Sequence, residues 1–120
     1  GPTCPYCTAT APILEDLHRR YRDKGLVVVG FYHHKSAGPV RLSRVRRWAK
    51  AMGMSFPLGV DHEWRTLRRW WLDKAPQGSW TSVSFLIDQA GIVRYVHPGG
   101  TITAEDGRRL EEETVRLLKR

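Results

Sequence analysis

Only two of the 120 residues are cysteine, Cys4 and Cys7, and that scarcity excludes two classes of protein. A disulfide-stapled scaffold needs several pairs. A tetrahedral structural zinc needs four ligands, and neither a second cysteine pair nor a spaced histidine pair is present to complete the set. Long apolar runs are also missing, none approaching the ~20 residues that span a bilayer as a helix. There is no internal repeat, low-complexity tract or linker. No basic segment followed by an apolar one precedes the cysteines, and the chain opens on Gly1, so a signal peptide is either absent or missing from this sequence. Negative charge is scarce too: 12 Asp and Glu stand against 20 Lys and Arg, a formal net charge of +8.

A content of 41% hydrophobic and 27% charged residues describes one ordinary globular domain over 1–120, long enough to bury a core without staples. The basic residues, fifteen Arg and five Lys, cluster over 41–50 and 65–69. Such clusters invite a nucleic-acid reading. However, Leu42, Val45, Ala49 and Met52 recur at helical spacing and leave Arg41, Arg44, Arg47 and Lys50 on the opposite face. A solvated helix face is the simpler account, and it argues against nucleic acid as a partner.

The two cysteines form Cys4-Pro5-Tyr6-Cys7 at the start of an amphipathic pattern. Residues three apart on a helix lie about one turn from each other, within reach of a disulfide. At a helix start, free backbone N–H groups and the positive end of the dipole favour thiolate at the first position. Cys4 is therefore the expected attacking thiol and Cys7 the resolving one. The alternatives are half of a metal site or two inert thiols.

Along the chain, Ile13, Leu14, Leu17 and Tyr21 mark one face of a helix to about Lys24, with Gly25 as its stop and Pro12 inside it. The run LVVVGFY over 26–32 reads as a parallel, central strand buried on both faces. Residues 33–40 are loop, 41–52 a helix ended by Gly53, and 55–60 a short second strand. Asp61 is expected to cap a helix over 63–72, and 73–80 to be loop. Strands over 83–87 and 92–96 flank a hairpin turn containing Gly91. Thr103, with Asp106 three residues on, caps a last helix that turns Leu110, Leu117 and Leu118 inward. Alternating helices and strands finished by a hairpin give an α/β fold with one mixed sheet. His33 and His34, adjacent at a strand end, face opposite sides and make a poor metal pair. Trp64, Trp70, Trp71 and Trp80 are expected to pack the inserted helix and the loop before Ser82, with a partner groove as the alternative.

With these residues in place, the chain resembles the thioredoxin-like superfamily, and within it the TlpA/ResA-like thiol-disulfide oxidoreductases and related redoxin domains. The resemblance covers nearly the whole chain. It rests on Cys4 and Cys7 opening the first helix, Pro12 five residues later, the apolar strand after that helix, and SVSFLID over 82–88 followed by Gly91 and IVRYV over 92–96. It implies a thioredoxin-like fold, a mixed central sheet flanked by helices. It also implies dithiol–disulfide exchange with protein substrates and a redox partner protein, no cofactor beyond the Cys4–Cys7 disulfide, and an extracytoplasmic site in a bacterium. Pro5, Tyr6, Pro12, Thr81 and Ser82 would shape the active site, and no metal is expected.

Two departures stand out: Thr3 occupies the place of a Trp usual in the family, and Ser82 that of a cis-proline. Ser82 is expected to follow a trans bond, because a cis bond without proline costs about 2.5–4 kcal/mol. Its loop is expected to lie against the cysteines, with tolerance as a plain strand-start residue as the alternative. Pro5-Tyr6 is also the glutaredoxin dipeptide, but Ser82 follows Cys4 by 78 positions, which leaves room for an extra strand and helix. A peroxiredoxin-like peroxidase would carry a threonine where Gly1 stands. Finally, the resemblance implies a buried strand running into the cysteines. Gly1-Pro2-Thr3 cannot form it, so the domain is expected to be N-terminally incomplete, with an unpaired edge on the 26–32 strand, or Gly1-Pro2 to be a cloning remnant.

Overall fold

A computed structural model describes residues 5–32, 38–74, 82–99 and 101–120, with side chains from residue 10 onward within those ranges. The order of elements is α1 (Pro5–Tyr21), β1 (Gly30–Tyr32), α2 (Leu42–Ala51), β2 (Leu58–Val60), α3 (Arg65–Leu67), β3 (Val83–Ile87), β4 (Val93–Pro98) and α4 (Ala104–Leu118).

The core forms where α1 and α4 meet the β3–β4 hairpin. Leu17 of α1, Leu86 of β3 and Leu110 of α4 are buried together, and Leu14, Tyr21, Leu26, Tyr95 and Leu117 pack around them. Helix α4 begins as its sequence dictates. The Thr103 hydroxyl accepts from the Asp106 amide at 3.1 Å, and the Asp106 carboxylate accepts from the Thr103 amide at 3.1 Å, a complete capping box. Gly107 lets α4 approach α1 closely, since a Cβ there would lie 3.3 Å from Ile13 Cγ2. The hairpin turn is built by Asp88, which accepts from the amides of Ala90 and Ile92, both at 2.9 Å, while Gly91 takes φ +81°. The ladder continues past the expected end of the second strand to Pro98, with a register shift between Leu86 and Ile87.

Three expectations are corrected. The strand expected over 26–32, buried on both faces, is a ladder strand only over Gly30–Tyr32, parallel to β2. Val27, Val29 and Phe31 are exposed, Val27 at 76%. The physical reason is the lack of a neighbour: among the described residues β1 pairs with β2 alone, and β2 is three residues long. The mixed sheet consequently stands as two pieces, parallel β1–β2 and antiparallel β3–β4.

The second correction concerns 63–72. Glu63 and Trp64 take φ of 58° and 59°, so a 3-10 turn (His62–Trp64), the short α3 and a π turn (Arg68–Leu72) replace one continuous helix. Asp61 caps across the kink, its buried carboxylate accepting from the amides of Thr66 and Leu67 at 2.9 Å each.

The third correction is at α2. Val45 is buried, but Leu42, in the first turn of α2, is 53% exposed, so the apolar stripe is covered only in part. Arg41, Arg44, Arg46, Arg47 and Lys50 are exposed, as a solvated face requires. The tryptophans divide: Trp64 and Trp71 are half-buried, whereas Trp70 is 45% exposed with one edge against the Phe85 ring at 5.8 Å. His33, His34 and Trp80 lie outside the described residues.

Candidate functional site at the start of α1

The chemistry-bearing residues occupy the first turn of α1. Pro5, Tyr6 and Cys7 have helical backbone there, and Cys4 lies outside the described residues, directly ahead of Pro5 in sequence. Proline suits the first helical position, where its missing N–H would have had no partner. Pro12 sits within the helix as expected, exposed, so the bond its nitrogen cannot make is lost without breaking the element.

The body of α1 is fixed at three places downstream of that turn. Leu17 is 4% exposed in the core. Glu15, 7% exposed, accepts from the Ser55 amide and hydroxyl at 2.6 Å each and from Arg19 Nε at 2.5 Å. Burial by itself would raise the Glu15 carboxyl; the hydrogen bonds from Arg19 and Ser55 outweigh it and hold the pKa at about 2. At the far end Arg20 bonds Asp16 and Glu111, and Tyr21 Oη donates to Glu111 at 2.6 Å, tying α1 to α4. The Arg20 and Tyr21 hydrogen bonds keep the Glu111 carboxyl below its ordinary range.

The electrostatics of α1 suit a thiolate at its start. Its first turn carries no carboxylate, while its last turn carries His18, Arg19 and Arg20, so the dipole is unopposed at the N-terminal end and complemented at the other. Glu15 follows Cys7 by eight positions, ~12 Å along the axis, well beyond hydrogen-bond reach. It anchors the helix and is too far to exchange a proton with the pair. Sequence reading passed over Glu15, although Ala11 and Glu15 at i, i+4 share the buried side of α1 and mark it as core-facing.

Ser82 is half-buried at the start of β3, its carbonyl accepting from the Gly99 amide at 2.8 Å. Thr81 lies outside the described residues, and with it the Thr81–Ser82 bond. The structure thus places Cys7 and Ser82 on the elements expected for them, α1 and the entry to β3. Among the described residues no three His, Cys, Asp or Glu side chains gather as a metal site, and no helix is long and apolar enough to cross a membrane.

A helix packed against a mixed α/β core is the architecture of the thioredoxin-like fold, and comparison with known proteins agrees. The family model of the AhpC/TSA family matches residues 1–96, and the chain belongs to that family. It is similar to the thiol-disulfide oxidoreductase ResA of Geobacillus kaustophilus, 28% identical over 106 residues, covering 88% of this chain and 54% of that protein. ResA of Halalkalibacterium halodurans is 25% identical over 119 residues, 99% of this chain and 58% of that protein. The chain therefore spans little more than half the length of these relatives. In three dimensions it superposes on a Chlorobium tepidum chain described as a thiol:disulfide interchange protein DsbE, with a TM-score of 0.76 and 20% identity, covering 98% of this chain and 74% of that one. That likeness establishes the thioredoxin-like fold.

Proposed function

We propose that this domain is a thiol-disulfide oxidoreductase in which Cys4 attacks and Cys7 resolves. The observation that supports the reading is that Pro5, Tyr6 and Cys7, with Cys4 directly ahead of them in sequence, open a helix whose body is held by Leu17, Glu15 and the Glu111 pairings. A rigid helix keeps its first-turn amides directed at one sulfur, and that is what lowers a thiol pKa.

In the reducing direction the Cys4 thiolate attacks one sulfur of a protein disulfide. A Cys4–substrate disulfide forms and the other substrate sulfur leaves as thiolate. Cys7, deprotonated, then attacks Cys4 sulfur, closing the Cys4–Cys7 disulfide and releasing the second substrate thiol. The substrate gains two electrons and the dithiol loses them; the oxidising direction is the reverse. A redox partner protein resets the pair, and no cofactor besides the disulfide is required. Pro5, Tyr6, Pro12, Thr81 and Ser82 shape the surface around it, and the ResA-like character favours an extracytoplasmic, bacterial setting.

Insulin reduction coupled to dithiothreitol tests the activity: the wild type accelerates precipitation and Cys4→Ser does not. Membership of the AhpC/TSA family supports a second reading, a thiol peroxidase. Consumption of hydrogen peroxide without a disulfide substrate would select that reading, and Gly1 in place of the expected threonine argues against it.

A further inference from the structure

The chain's charge is unevenly placed. Between Asp23 and Asp61 there is no Asp or Glu, while seven Lys and Arg fall there, so this stretch holds +7 of the formal +8. Five of the seven, Arg41, Arg44, Arg46, Arg47 and Lys50, lie on α2 or at its N-cap, and all five are exposed. Among the described residues none of them has an ion-pair partner, whereas Arg19, Arg20, Arg65, Arg94 and Arg116 each hold a carboxylate. Helical spacing puts Arg44, Arg47 and Lys50 in one row with Arg46 beside it, and the exposed Leu42 lies one turn before Arg46. The chain reverses at Gly25, and 25–31 lines one cavity together with Leu14 and Leu17, so β1 runs back along α1 and ends at Tyr32 toward the side where α1 begins. Trp48, in the middle of α2, packs on the Tyr32 ring with centroids 5.9 Å apart, which brings the basic face to that side.

We infer that this face of α2 is a docking surface for acidic polypeptide and, resting on the thiol-disulfide reading, that the disulfides this domain exchanges are preferentially those of proteins with carboxylates near their cysteines. Three observations choose this occupant. Four of the five cations are Arg, whose planar guanidinium grips a carboxylate through two parallel hydrogen bonds where Lys offers a point charge. An anionic bilayer takes up a basic helix by its apolar stripe, but Val45 is buried and Trp48 is committed to Tyr32, which leaves Leu42 alone to enter lipid. Single-stranded nucleic acid stacks on exposed aromatic rings set among the cations, and the ring on α2 is that same half-buried Trp48. A carboxylate-free surface of unpaired cations also speeds encounter with acidic partners.

Three disulfide-bonded peptides of one sequence, flanked by Glu, Gln or Lys, test it. With the wild type, kcat/KM for the Glu peptide should exceed that for the Lys peptide by about ten-fold or more in low salt, and the ratio should fall toward one near ~1 M salt, where the screening length is ~3 Å. Arg44→Gln, Arg46→Gln and Arg47→Gln together should remove most of that ratio. Arg108→Gln, Lys119→Gln and Arg120→Gln together make the same change in net charge at exposed positions on and just past α4, and should leave most of it. An equal loss in the two triple variants, or reduction of all three peptides at one rate by the wild type, would overturn the inference while leaving the redox reading intact. The alkylated Glu peptide, which cannot exchange, keeps the two failures apart. Its binding, read by fluorescence anisotropy and lost with the α2 substitutions, supports the docking surface, and the same binding with no reduction of any peptide would contradict the redox reading alone. Binding to phosphatidylglycerol vesicles that the α2 substitutions abolish, with the peptide ratio unchanged, would assign the face to a membrane and overturn the inference.

Discussion

Helix α1 and the segment that follows it differ in how their groups are satisfied. Between Glu15 and Tyr21, α1 is tied to other parts of the chain at four residues: Glu15 to Ser55, Arg20 and Tyr21 to Glu111, Leu17 to Leu86 and Leu110. Residues 26–29 are more apolar, yet beyond the Leu26 amide, which donates to the Tyr21 carbonyl at 3.1 Å, the amides of Val27, Val28 and Val29 make no backbone hydrogen bond among the described residues, and Val27 and Val29 face outward. Hydrophobicity alone therefore does not order a segment. The helix satisfies its backbone internally and needs only one apolar face covered, whereas a strand needs neighbours on its edges before its side chains can be buried.

This contrast breaks most readily at Leu17. Leu17→Ala should cost about 2–5 kcal/mol of unfolding free energy, because it opens a cavity among Leu86 and Leu110; chemical denaturation measures it. Glu15→Ala removes the buried carboxylate that accepts from the Ser55 amide and hydroxyl; because Ser55 itself is exposed and can turn to water, the change should cost about 1.5 kcal/mol, the worth of hydrogen bonds to a charged group. The same carboxylate gives a pH signature. Its folded pKa, about 2, lies below the ordinary 4.5, so the folded state binds fewer protons there and gains stability from the ionised form. That gain is complete above pH 4.5 and is lost as the pH falls toward 2; Glu15→Gln should flatten the acid limb of a stability-against-pH curve over that window.

Smaller effects follow away from α1. Thr103→Ala removes half of the capping box and should cost about 1 kcal/mol by the same denaturation measurement. Arg47→Gln on the exposed face of α2 should change stability by less than about 0.5 kcal/mol.

What the sequence made legible was whatever depends on near neighbours in the chain. The capping residues Asp61 and Thr103, the stops at Gly25 and Gly53, the Asp88–Gly91 turn and the helical proline all follow from local chemistry, and each stands where its residue type required. Cys7 falls in the first turn of α1 for the same reason, while Cys4 lies outside the described residues. What local pattern concealed was long-range. Nothing near Glu15 announces Ser55, forty positions away, as the group that holds its charge. Periodicity over 63–72 suggested one helix because it carries no information on the left-handed backbone at Glu63 and Trp64, which two non-glycine residues rarely adopt. The run over 26–32 was read as buried from composition, although burial is a property of its neighbours.

The central claim is that the turn at the head of α1 exchanges disulfides through Cys4. Trapping with Cys7→Ser tests it most directly: incubated with a disulfide-bonded protein and quenched in acid, this variant should accumulate a mixed disulfide that peptide mass spectrometry locates on Cys4, while Cys4→Ser yields no adduct and no turnover. Continued disulfide exchange by Cys4→Ser, with no adduct on Cys4 in the Cys7→Ser protein, would contradict the account.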